Sequence, residues 1–313
     1  MEFARLTQLF HYPFPTLYSP FIDEIQEHTE RVWIDGELQG VVSPEITEEY
    51  KRVKTGRMAS FWYPTATWER LLPLARLYLW SLYNDEMGEQ TSRTGVQQIR
   101  EGSVAVLRGQ KTGAESGVVL GDQLEKIRNE LLQFLPERCL QRLATHMDRY
   151  YAGQELEAVS REEERFFKAD ECLDIREQSL MSMPFFDIIE VDSRVVLPEH
   201  VHDDPIIQRL KVLQTRLMIC MNDVQSLEKD ERNGQHYYNL TKCMEHEYGI
   251  SRAEAIQRVI TLHDEYAAEY LHLMHHGLPD LEEWNYEVTR WVHRLSLFAS
   301  GWLGAASQTT RYD

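Results

Sequence analysis

The sequence predicts an all-α protein, a single domain spanning residues 1–313 and built from about ten or more helices. Two observations carry that prediction. Apolar residues recur at three- and four-residue spacing through several long stretches, and period-two alternation is weak everywhere. Punctuation is also sparse: Gly and Pro cluster near 12–20, 102–121 and 277–279. The length alone allows one large domain or two. A hydrophobic content of 42% supplies enough apolar mass for a packed core.

In chain order, residues 66–83 (ATWERLLPLARLYLWSLY) predict a helix with a broad apolar face. The stretch 108–121 (RGQKTGAESGVVLG) predicts a loop. Its GQKTG is not a phosphate-binding Walker loop, which needs four residues between its first Gly and the Gly-Lys pair and a preceding strand. Residues 122–151 set Leu, Ile and Phe among charges at helical spacing, and 154–170 read as a solvated helix surface. DIIEVDSRVVLP, 187–198, is the best strand candidate and reads equally well as a helix end followed by a loop. Residues 205–228, 251–276 and 281–306 again predict helices. There is no internal repeat and no low-complexity run.

The formal net charge of −18 argues against a nucleic-acid binder, which grips phosphates through Lys and Arg. The four cysteines, Cys139, Cys172, Cys220 and Cys243, are widely spaced. That speaks against a zinc knuckle or a disulfide scaffold. No stretch is long and apolar enough to span a membrane, and the first residues do not read as a signal peptide. The expectation is a cytoplasmic protein.

One segment departs from ordinary core-helix chemistry. MNDVQSLEKD, 221–230, continues an apolar helix yet places Asn222, Ser226 and Asp230 four residues apart, with Lys229 alongside. Residues at that spacing share one helix face. An amide oxygen, a hydroxyl and a carboxylate in line are hard ligands that suit Mg²⁺. The spacing alone leaves open a plain polar helix end. A second acidic cluster, YNDEMGE at 83–89, ends another apolar helix, where the helix dipole disfavours acids and a cation compensates. Two such clusters suit a diphosphate held through bridging Mg²⁺. Arg176 and the terminal Arg311–Tyr312 are candidate donors to it.

The order and intervals of these motifs resemble those of the bacterial class I terpene synthases, over nearly the whole chain. The resemblance implies a helical bundle with a central active-site cavity. It makes NDEMGE the aspartate-rich motif, with Asp85 and Glu89 as metal ligands. The family's usual first Asp is Asn84 here, so a shifted register, Asp85–Glu86–Glu89, is also open. Arg176, 46 positions before Asn222, matches the family's pyrophosphate sensor, with Ser179 as linker and Leu180 as effector at a helix break. No Gly stands near that break. Asn222, Ser226 and Asp230 match the metal-binding triad, with Asp230 where Glu is usual. Lys229 and the Arg311–Tyr312 pair join Arg176 as diphosphate contacts. Glu157 resembles a helix glutamate upstream of the sensor. Phe61, Tyr83, Phe185 and Trp302 are expected to line the substrate pocket, with Trp62, Trp80, Phe186 and Phe298 as further aromatic candidates. Ala305 stands where the family often has Trp, which leaves two readings open: Trp302 nearby takes its place, or the pocket is wider.

The implied chemistry is that of a carbon–oxygen lyase. Three Mg²⁺ assist ionisation of a linear prenyl diphosphate, and the carbocation then cyclises in an apolar pocket. Farnesyl diphosphate, giving a sesquiterpene, is the favoured substrate, with geranylgeranyl diphosphate and a diterpene as the alternative. A homodimer is implied at family level. Two competing readings remain: a chain-elongating prenyltransferase, which needs two DDxxD-like motifs, and a catalytically silent isoprenoid-binding protein, suggested by Asn84. HVHDDP, 200–205, offers His200, His202, Asp203 and Asp204 as a metal cluster, but reads better as a loop and helix cap before Pro205.

Overall fold

The computed structural model describes residues 9–278 and 285–308, apart from the side chain of Glu89. Every regular element among them is helical. The first is α1, Ile22–His28, which runs on into a π-helical segment Thr29–Glu37. It is followed by α2 (Pro44–Val53), α3 (Thr55–Trp62), α4 (Trp68–Glu89), α5 (Arg93–Leu107) and α6 (Gly121–Leu131). The middle of the chain holds α7 (Glu137–Glu162), α8 (Ala169–Ser179) and three short helices, α9 (Ser182–Asp187), α10 (Ile189–Ser193) and α11 (Glu199–His202). Then come α12 (Pro205–Gln225), α13 (Leu227–Asn233), α14 (Leu240–Tyr248), α15 (Arg252–His272), α16 (Tyr286–Leu295) and α17 (Leu297–Ala306).

Local chemistry explains where these elements begin and end. Asp204 caps α12 by accepting from the Ile206 amide at 2.8 Å, and Pro205 fills the first helical position. HVHDDP is therefore a helix entry. Ser251 and Glu254 form a reciprocal capping box on α15. The helical pattern over 122–151 is broken at 132–136, because Pro136 lacks an amide proton and disfavours helical backbone before it. The strand candidate 187–198 is instead the end of α9, all of α10 and a loop. Likewise the helical surface expected over 154–170 ends at Glu162, and a coil reaches α8.

α12 is the central post. Ile207, Leu210, Leu213, Leu217, Ile219 and Met221 are all essentially inaccessible, so apolar side chains cover it on nearly every side. It packs against α15, α17 and α8, while α7 packs against both α5 and α8. α3 lies between α4 and α17. The C-terminal ends of α4, α8 and α12 thus converge around one interior space. No helix among the described residues is long and apolar enough to cross a membrane.

Candidate active site

The interior space is a cavity of about 110 Å³. Its lining is divided. Asp85, Arg176, Asn222, Ser226, Lys229 and Asp230 contribute polar groups, and Trp62, Tyr78, Leu82, Phe185 and Trp302 contribute apolar surface.

The polar side starts from α12. α12 ends at Gln225 and α13 begins at Leu227, yet the backbone bonds continue through Ser226 between them. The Ser226 amide donates to the Asn222 carbonyl at 2.7 Å, and the Asp230 amide donates to the Ser226 carbonyl at 2.8 Å. Asn222, Ser226 and Asp230 therefore stay on one stripe. The Ser226 hydroxyl donates to Asp230 Oδ2 at 2.6 Å, and Asn239 Nδ2 donates to the same oxygen at 2.8 Å. Burial pushes the Asp230 carboxyl above its usual range, against the pull of these two donors.

Arg176 reaches this stripe from the last turn of α8. Its guanidinium donates to Asn222 Oδ1 at 3.0 Å, to Asp223 Oδ1 at 2.7 Å and to Glu157 Oε1 at 3.1 Å. Asp223 is fully buried and also accepts from the Leu240 amide at 2.7 Å, which ties the start of α14 to the site. Burial works against the arginine charge, but Asp223 and Glu157 outweigh it and hold the guanidinium protonated well above its ordinary range. Burial likewise raises Glu157, although Arg176 and Ser179 stabilise its anion. The Arg176 Nε is buried without a protein partner.

Immediately after Arg176 the helix breaks. Ser179 donates its hydroxyl to Glu157, Leu180 caps α8, and Met181 adopts φ 62°, ψ 12°. A non-glycine residue in the left-handed region costs roughly 1–2 kcal/mol. Met181 is 4% exposed, and beyond it the Ser182 hydroxyl bonds Thr215 Oγ1 on α12 at 2.7 Å. Packing thus imposes the turn that a glycine normally supplies. A glycine is required nearby instead. A Cβ at Gly153 of α7 would stand 2.7 Å from the Ser179 amide nitrogen, so only glycine lets α7 lie against the break.

On α4, Tyr78, Ser81, Leu82 and Asp85 form the stripe that faces the cavity. Tyr150 and Gln154 of α7 approach Asp85 Oδ1 at 3.4 Å each. Asn84 is rotated about 100° away on the same helix. It is 3% exposed, and its Oδ1 accepts from the Tyr151 hydroxyl at 2.8 Å, behind the cavity wall. Asp85, common to both registers, therefore lies in the cavity wall, and Asn84 does not.

The expected aromatic lining needs correction. Phe185 and Trp302 line the cavity, but Phe61 and Tyr83 do not. Phe61 points the other way from α3, with its ring centroid 5.7 Å from that of Tyr18 and its ring edge against Gly304 of α17. Tyr83 is buried a helical step off the cavity stripe. Trp62 and Tyr78 line the cavity instead. Ala305 is buried outside the cavity lining, and Trp302, one turn earlier on α17, stands in the wall. Arg311, Tyr312 and the Glu89 side chain lie outside the described residues.

Sequence reasoning passed over Asp223, Asn239, Tyr150 and Gln154. The available signals were an acid next to Asn222 on an otherwise apolar helix, and the polar stripe Tyr150, Gln154, Glu157 on α7. His202, by contrast, is consumed structurally, with its Nε2 2.9 Å from Glu190 Oε1 and its Nδ1 3.3 Å from the buried Lys211 amine.

The donor set fits a hard divalent cation. Asp85 faces Asn222, Ser226 and Asp230 across a single cavity, and every donor is oxygen. Asp230 has two neutral hydrogen-bond donors and no direct cationic partner among the bonds above, so a bound cation would complete its environment.

Comparison with known proteins shows the family. Residues 78–269 match the family model described as terpene synthase family 2, C-terminal metal binding. A (+)-T-muurolol synthase of Roseiflexus castenholzii that cyclises (2E,6E)-farnesyl diphosphate is 26% identical, covering 83% of this chain and 79% of its own length. A 10-epi-cubebol synthase of Sorangium cellulosum is 26% identical over 76% of each chain. Among solved structures, a linalool/nerolidol synthase of Streptomyces clavuligerus superposes with a TM-score of 0.83 at 20% identity, covering 94% of this chain and 98% of its own. A cucumene synthase variant superposes at 0.79 with 23% identity, covering 93% and 97%. The matching domain is a metal-binding one, its model spans more than half of the chain, and the helical architecture is shared over more than nine-tenths of it: the chain belongs to the bacterial class I terpene synthase family and is a terpene cyclase.

Proposed function

We propose that this protein, acting as a single domain over residues 1–313, ionises farnesyl diphosphate with Mg²⁺ and cyclises the resulting cation to a sesquiterpene. The observation that carries this reading is Arg176. It is a buried guanidinium bonded at once to Asn222, Asp223 and Glu157, at the junction between an oxygen-lined and an aromatic-lined part of one cavity. Asp85 and Glu89 from α4, with Asn222, Ser226 and Asp230, are the residues that would hold Mg²⁺. When bound, three such ions supply Lewis-acid neutralisation of the departing diphosphate.

The chain's own groups do the rest. Arg176, Lys229, Arg311 and Tyr312 bind the diphosphate oxygens, the arginines bidentately and the tyrosine through its hydroxyl. Arg176 exchanges bonds to Asn222 for bonds to the leaving group. Diphosphate binding is thereby linked to the break at Ser179–Leu180, which lines the same cavity. The rings of Trp62, Tyr78, Phe185 and Trp302 exclude water and present π faces to a migrating positive charge.

The test is incubation of purified protein with Mg²⁺ and, separately, ten-, fifteen-, twenty- and twenty-five-carbon prenyl diphosphates. Extracts are analysed by gas chromatography–mass spectrometry. A cyclic product from the fifteen-carbon substrate, lost with EDTA and in Asn222→Ala, is the expected result. No product from folded protein with any substrate would overturn the proposal.

A further inference from the structure

Trp62 occupies an unusual place between the cavity and the core. Its indole lines the cavity, yet it is only 2% exposed. On the cavity side its ring meets those of Tyr78 at 5.2 Å, Phe185 at 4.8 Å and Trp302 at 5.9 Å. Behind it, Phe298 stacks at 5.3 Å and 24°, and Phe298 is fully buried. The indole is therefore a plug between the cavity and solid core.

The plug cannot retreat. α17 reaches α3 at Gly301, where a Cβ would stand 2.8 Å from the Phe61 carbonyl oxygen and 3.3 Å from Trp62 Cδ1. The backbone of α17 thus presses against the indole edge. The depth of the cavity can be read along α4. Asp85 stands at the polar end and Tyr78, in edge contact with Trp62, stands seven residues earlier, a rise of about 10 Å. A fully extended fifteen-carbon chain is longer than that and has to fold back on itself, the shape cyclisation requires. A twenty-carbon chain carries one more isoprene unit, and along this axis the cavity ends at the indole.

We infer that Trp62, fixed from behind by Gly301, sets the upper limit of prenyl chain length in this enzyme at fifteen carbons. The inference rests on the cavity being the prenyl-diphosphate site proposed above.

The experiment measures Mg²⁺-dependent diphosphate release from ten-, fifteen- and twenty-carbon prenyl diphosphates. It compares the wild type with Trp62→Ala, Trp62→Leu and Gly301→Ala, each checked for folding by circular dichroism and thermal melting. Trp62→Leu keeps more apolar volume and serves if Trp62→Ala does not fold. The wild type should favour the fifteen- over the twenty-carbon substrate by at least about tenfold in kcat/KM, since small apolar differences in a tight pocket are worth factors of that order. Either Trp62 variant should reduce or invert that ratio. Gly301→Ala puts a Cβ 2.8 Å from the Phe61 carbonyl oxygen and 3.3 Å from Trp62 Cδ1, so it forces α17 and α3 apart and should also change that ratio. A wild type that uses twenty carbons equally well, or a folded Trp62 variant with the wild-type ratio, overturns the inference while leaving the cyclase reading intact. Silence of the wild type with all three substrates overturns both.

Discussion

Restoring an acid at position 84 tests the site geometry most sharply. By motif alone, Asn84→Asp completes a DDxxxE pattern and should improve turnover. The structure predicts the opposite: a less stable protein with no gain. The position is 3% exposed, and its side-chain oxygen faces the Tyr151 hydroxyl rather than the cavity. Keeping a carboxyl neutral there at pH 7 against an ordinary pKa near 3.9 costs about 4 kcal/mol. If it ionises instead, burial costs several kcal/mol, of which the Tyr151 hydrogen bond returns roughly 1.5–3 kcal/mol. Losing the unpartnered Asn84 Nδ2 relieves about 1 kcal/mol more. The net loss is about 2–3 kcal/mol. At roughly 2–4 °C per kcal/mol, that lowers Tm by about 4–12 °C. Thermal melting and Mg²⁺-dependent diphosphate release measure the two halves. Asp85→Asn is the control and should abolish turnover with little change in Tm. A faster Asn84→Asp enzyme, or one with unchanged Tm, would refute the assignment of Asp85 as the first cavity acid.

Other outcomes follow from the same geometry. Asn222→Ala and Asp230→Ala should each lower kcat by about a hundredfold or more, the order seen when one transition-state charge contact is removed. Activity retained within tenfold would place the metal donors elsewhere. Arg142 bonds Asp187 at 3.0 Å and Glu190 at 2.6 Å in the interior. Arg142→Met strands those carboxylates and should cost about 3–5 kcal/mol in urea unfolding, and a loss under about 1 kcal/mol would show that they are not coupled. Asp187 also carries a pH signature. Burial pushes its carboxyl up, but His146 and Arg142 outweigh this and hold it at about 2. A depressed carboxyl stabilises the fold above its ordinary pKa, and the contribution is lost as pH falls from about 4 toward 2, here about 2 kcal/mol. Asp187→Asn should flatten the stability profile in that window, and an unchanged slope would contradict the pairing.

Much of the site was legible because its chemistry is local. Asn222, Ser226 and Asp230 are placed by helical spacing within one segment, and that spacing survives the pause at Ser226 through unbroken backbone bonds. Arg176 stood out as a cation in an apolar and acidic setting. The aromatic wall was less legible, because neighbouring residues on a helix point about 100° apart and sequence does not say which side faces inward. Phe61 and Trp62 are equally aromatic and equally buried, and only the seat of α3 between α4 and α17 sends one outward and the other to the cavity.

What the sequence by itself determined is the all-α class, the central apolar helix α12 and the order and spacing of the candidate metal and diphosphate motifs. Each depends on residue type and short-range periodicity. What the tertiary structure decided is the pairing between distant segments. It placed Asp85 rather than Asn84 in the cavity. It brought Asp223 and Glu157 onto Arg176, imposed a left-handed turn on Met181, and set Trp62 against Gly301. Those choices depend on helix rotation and close packing between elements far apart in the chain, where a single missing Cβ fixes how near two helices can come.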